Sequence, residues 1–82
     1  MSVYANLDAH EGTVSGTVTI TLTRKSMKMI IINDSASTDL QYKFNTTESY
    51  ATLKPSETVS MDFHAKEVLL SGSGPYRIWS YG

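Results

Sequence analysis

Eighty-two residues, with seven basic side chains, eight acidic ones and no cysteine, describe one small domain of net charge −1. A chain of this length has room for one core and buries only about 60–65% of the surface it exposes unfolded, so its margin of stability is thin. Disulfides and thiolate zinc sites are excluded by composition, and the charge balance supplies no global field to steer the chain towards nucleic acid or anionic lipid.

In the opening stretch Val3, Ala5 and Leu7 alternate with more polar residues, which predicts an edge strand. Residues 8–16, with Gly12 and Gly16, read as a loop; residues 1–16 together read as that edge strand and loop, or as an N-terminal arm that pairs with a neighbouring copy. There is no basic n-region followed by an apolar stretch, so no signal peptide is expected. The longest apolar run is residues 29–32, far short of a membrane span.

"GTVTITLTR" sets Val18, Ile20 and Leu22 on one face and a ladder of threonines on the other. The next strand, residues 27–33, is apolar on both faces near its end through Met29, Ile30 and Ile32. Such a strand is central in its sheet, or turns its second face to a partner. Leu40, Tyr42 and Phe44 alternate with polar residues in a third strand, and "YATL" follows. "KPSE" is a turn with Pro55 fixing φ. Val59, Met61 and Phe63 alternate again, "VLLSG" follows "HAKE", and "GSGP" reads as a turn into "YRIWSY". About seven short strands at roughly ten-residue spacing predict an all-β fold: a small antiparallel β-sandwich, or a small barrel. Its expected core is Val18, Ile20, Leu22, Leu40, Tyr42, Phe44, Val59, Met61 and Phe63.

The catalytic vocabulary is sparse. "NDSASTD" has acids at both ends, but a calcium loop starting at Asp34 needs oxygen at position 3, Gly at 6 and Glu at 12. The chain offers Ala36, Asp39 and Asn45 there, so the stretch reads as a hairpin turn. Asp8, His10 and Glu11 lie together without a second cluster and read as solvated surface, as does His64 beside Asp62. "SGSGP" fits neither a nucleophile elbow nor a phosphate loop. No enzymatic activity, metal or cofactor is therefore expected.

The final strand differs from the rest. Tyr76 and Ile78 take one face; Arg77, Trp79 and Tyr81 take the other. Trp, Tyr and Arg are the residue types enriched at binding hot spots. Together with Met29, Ile30 and Ile32 they are the expected interaction surface, for a homo-oligomer (a trimer among the options), a larger protein shell or a surface glycan. Arg24, Lys25 and Lys28 are the basic cluster a nucleic-acid-binding barrel would use, a weaker reading given the charge balance.

"IINDSASTDLQYKFN", "LKPSETVSMDF" and "VLLSGSGPYRIWSYG" together resemble small β-sandwich modules of tailed-bacteriophage virion proteins. That pattern runs roughly from an I-x-N-D-S start through D-L-x-Y/F-x-F/I-N and a K-P-x-E turn to a G-x-G/A-x-Y-R close, and the resemblance spans about residues 30–79. It implies a non-enzymatic structural part such as a capsid decoration, head-fibre or tail-associated protein, made in the host cytoplasm and resident on the virion.

Overall fold

The computed structural model describes residues 7–46, 48–62 and 64–82. They contain six strands: β1 (Leu7–Thr21), β2 (Lys28–Asn33), β3 (Leu40–Lys43), β4 (Ala51–Leu53), β5 (Thr58–Met61) and β6 (Glu67–Tyr81). The all-β expectation holds, in the form of one antiparallel sheet curled into a half-barrel. Val3, Ala5 and Phe63 lie outside the described residues.

β6 organises the sheet. β1 pairs with it along its whole length, from Leu7 opposite Tyr81 to Thr21 opposite Glu67. Its other edge is shared: β2 pairs with residues 76–81 and β3 with residues 69–72. β5 then lies outside β2, and β4 outside β3. The sheet is therefore four long lines of chain, two of them interrupted at the same level. There it folds over, so that an upper half (β5, β2, residues 76–81, residues 7–14) faces a lower half (β4, β3, residues 67–72, residues 15–21). The molecule measures 38 × 27 × 17 Å, its thinnest dimension matching two layers about 10 Å apart.

Two sequence readings are corrected here. Residues 8–16 are strand, not loop, and residues 72–75 lie inside one 15-residue strand instead of turning between two. At this fold line Gly72 and Gly74 have φ of 145° and 125°, a region that L side chains avoid. They also lack the Cβ for which there is no room: at Gly72 it would sit 2.8 Å from the Asp39 carbonyl oxygen, at Gly74 2.9 Å from Thr38 Oγ1. The glycines let the strand bend and let residues 34–39 pack into the bend.

The core joins both halves, with Met29, Ile31, Tyr76 and Ile78 from one and Leu40, Leu53, Val68 and Leu70 from the other. Of the expected core, Leu22 and Leu40 are buried, while Val18, Ile20, Tyr42, Phe44, Val59 and Met61 pack against it half-buried. Val18, Ile20, Val59 and Met61 have the inward parity, but β1 and β5 are edge lines with a neighbour on one side only; Tyr42 and Phe44 lie at the end of β3 and just beyond it.

The open end opposite the fold line is closed by two segments, residues 22–27 and 64–66. They bond to each other through Leu22 N–H to Lys66 O, Ser26 N–H to Ala65 O and Ala65 N–H to Ser26 Oγ, at 2.8, 2.8 and 3.0 Å. Asp8 accepts from the Thr23 N–H at 2.6 Å, fastening the upper half of β1 to the lower half's crossover. That bond, more than any other cause, lowers the Asp8 pKa from its ordinary value; nearby His10 adds to the effect.

Candidate interaction surface

The "NDSASTD" segment is not a hairpin turn. β2 and β3 are not bonded to each other; residues 34–39 carry the chain across the fold line. Asn33, the last residue of β2 and 2% exposed, holds this passage together. Its Nδ2 donates to the carbonyls of Thr38, Leu53 and Lys54 at 2.9, 3.0 and 3.1 Å, and its Oδ1 accepts from Ser35 N–H at 3.0 Å. Ser35 Oγ accepts from the Thr38 N–H and hydroxyl groups, and Thr38 Oγ1 also reaches the Ser73 carbonyl on β6. The polar side chains of this loop thus satisfy backbone groups that the interrupted ladder leaves open.

This anchorage positions Asp34, whose carboxylate receives Arg77 Nε and Nη2 at 2.7 and 2.9 Å. The two-pronged geometry fixes the guanidinium plane, and Asp34 is the main reason the Arg77 pKa is raised. The same guanidinium lies 5.6 Å from the centre of the Trp79 ring, within cation–π range. A flexible cation and a large aromatic are held together as one ordered element of the outer face.

Around it the register builds a continuous surface on the upper half. Across the strands, Leu7, Tyr81 and Lys28 form one row, Ala9, Trp79, Ile30 and Ser60 the next, and Glu11, Arg77, Ile32 and Thr58 the third. Trp79, Ile30, Ile32 and Tyr81 are half-buried by their neighbours, and Leu7 is 59% exposed. The register thus joins Arg77, Trp79 and Tyr81 with Ile30 and Ile32 on one face, where the sequence offers two separate apolar surfaces. Met29 is the correction: it is fully buried and points into the core, because the strict alternation of β2 turns Met29 and Ile31 inward.

Leu7, Ala9 and Glu11 belong to this face and were missed, since they were read as lying at the end of an edge strand and in a loop. Asp8 and His10 are also corrected: they sit at inward positions of β1, half-buried, with His10 Nε2 2.9 Å from Asp8 Oδ1. Arg24 and Lys25 stand exposed on the 22–27 crossover, with Arg24 beside Leu7 and Gly82, and Lys28 ends the first row.

Concave sites are small. A cleft of about 110 Å³ lies between Leu7, Asp8, Thr23, Arg24, Ser80 and Gly82, well below the roughly 300–1,000 Å³ of most small-molecule pockets. A groove of about 330 Å³ beside Arg77 and Glu11 is shallow. Among the described residues no three acidic or histidine side chains gather where they would hold a metal.

No family model matches the chain, and no curated protein matches its sequence. Among solved structures it is similar to a cupin-2 domain containing protein from Shewanella frigidimarina, with a TM-score of 0.60 and 14% identity over 99% of this chain and 76% of that one. At that identity the likeness is one of fold. Two more distant structures are the Drosophila NLP core (TM-score 0.46, 20% identity, 90% of this chain and 96% of that one) and the Tobacco streak virus coat protein (TM-score 0.37, 9% identity, 98% and 89%).

Proposed function

We propose that this chain is a non-enzymatic structural protein of a bacteriophage virion, a capsid decoration or head- or tail-attached module acting through self-association and docking on the particle. The phage assignment rests on the resemblance carried by residues 30–79. The association rests on one observation: Trp79, Ile30 and Ile32 stand side by side on an outward sheet face, with Arg77 pinned beside them by Asp34. Completing the burial of these half-buried side chains is worth about 1 kcal/mol each at roughly 25 cal/mol per Å², and the pinned Arg77 gives up little further freedom on binding.

Sedimentation velocity at tens of micromolar, with a parallel pull-down on purified particles, tests this. The expected result is a species heavier than 9.1 kDa, or particle-bound protein, weakened about tenfold or more by Trp79→Ala. A stable monomer that binds no particle protein overturns it.

A second reading has support from the same pairing of Trp79 with an oriented guanidinium, which suits stacking on a sugar ring and bonding its hydroxyls. Glycan-array binding that is lost on Trp79→Ala selects this adhesion role over docking.

A further inference from the structure

We infer that two copies of this chain pair through the lower half of β1, strand against antiparallel strand, with Thr19 opposite Thr19 of the second copy. This deepens the self-association reading above and rests on it, but it uses a different part of the molecule.

β1 is a 15-residue strand whose only partner among the described residues is β6. Its other edge therefore presents a row of backbone N–H and C=O groups. Folded proteins blunt such edges with shortness, proline, lysine or inward-pointing charge. β1 contains neither proline nor lysine, and residues 12–23 carry no charged side chain at all. Only the first half of the strand is guarded, by Asp8 and Glu11.

The inward face makes the same point. Val18 and Ile20 have core parity yet remain only half-buried, with no strand among the described residues on the edge side. A second strand laid along this edge would complete their burial.

The sequence selects both the occupant and the register. An antiparallel copy centred on Thr19 sets Val18 opposite Ile20 twice on the inner face. On the outer face it sets Thr17 opposite Thr21 and Thr19 opposite itself. Threonine pairs and β-branched pairs are favourable cross-strand neighbours. A register centred on Glu11 would instead set Glu11 against Glu11, like charges directly opposed. The uncharged half of β1 is thus its own complement, and the charged half is not. The result is a two-fold dimer whose lower sheet runs continuously through both copies.

Cysteine crosslinking reads the register directly, since the chain has no cysteine of its own. Residues directly opposite in an antiparallel pair have Cα atoms about 4.5–5.5 Å apart, inside the range a disulfide spans. Thr17, Thr19 and Thr21 are all exposed, so the single variants retain the core. Under mild oxidation Thr19→Cys is expected to form a disulfide-linked dimer. Thr17→Cys and Thr21→Cys should each stay largely unlinked alone and link when mixed. Equal linking by all three variants, which is what random collision gives, overturns the inference, and so does no linking at Thr19→Cys. If linking fails while wild-type protein still sediments as an oligomer sensitive to Trp79→Ala, the edge pairing is wrong and the outer-face reading stands. If linking fails and the wild type is monomeric and binds no particle, both fall.

Discussion

Asp8 and Thr23 stand 15 positions apart and belong to opposite halves of the fold, yet the carboxylate of one takes the backbone N–H of the other at 2.6 Å. This bond fastens the open end of the half-barrel, and its strength depends on the carboxylate being ionised.

The folded pKa of Asp8 is lowered, chiefly by that bond. Its contribution to stability is then fully present above the unfolded value near 3.8 and is lost as pH falls through the folded pKa. Melting curves of wild type and Asp8→Asn between pH 6 and pH 2 should show a gap at the upper end that closes below about pH 4. A gap that persists unchanged to pH 2 would mean the charge is not what holds the end shut.

Gly72→Ala should destabilise the protein by about 1–3 kcal/mol from backbone strain alone, and by more because the added methyl meets the Asp39 carbonyl oxygen at 2.8 Å. Urea denaturation measures this. A midpoint equal to wild type would show that β6 does not need its bend at this position.

Asn33→Ala leaves three carbonyls and one N–H without the partner they have now. With buried orphan groups costing about 1–3 kcal/mol apiece, a loss of about 3 kcal/mol or more is expected, a large share of what so small a domain has. Asn33→Asp should be no rescue, since it keeps the acceptor and loses the donors. Equal denaturant midpoints for Asn33→Asp and wild type would contradict the role given to Nδ2.

Asp34→Ala acts on the outer face without touching the core. Exposed ion pairs add little to stability, so the melting temperature should hardly move. Trp79 is the sole tryptophan, so its fluorescence reports the release of Arg77 as greater acrylamide quenching, and self-association should weaken with it. Unchanged quenching would show that Arg77 keeps its place without Asp34.

The strand pattern could be read from the sequence wherever alternation was regular, as in the second half of β1, β3, β5 and the last third of β6. What escaped was set by non-local contacts. Asp8, His10 and Gly12 look like loop residues, but in the fold Asp8 meets Thr23 and Gly12 leaves room for the Tyr76 ring. Gly72 and Gly74 look like a turn because turns and bends ask for the same backbone freedom; only the neighbouring segment that fills the bend tells them apart. Asn33 has the strongest signal that was passed over. It continues the inward series of Met29 and Ile31, so its parity marked it as buried even though its chemistry suggested a turn. The outer-face grouping of Arg77, Trp79 and Tyr81 was legible because a strand fixes it locally. Their neighbours Leu7 and Ala9 were not, because pairing between β1 and β6 spans nearly the whole chain.

The central place of β6 also has a consequence for synthesis. Residues 67–81 follow every strand they join, so a ribosome that has made only the first 66 residues has produced β1 without a partner among the described strands. The pairings that do not need β6, β2 with β5 and β3 with β4, are separate two-stranded ribbons, each marginal in water by itself. The sheet has no template until its middle line arrives, so the uncharged stretch of β1 has no described partner strand until residues 67–81 are made, and until then it is open to neighbouring chains on the same message.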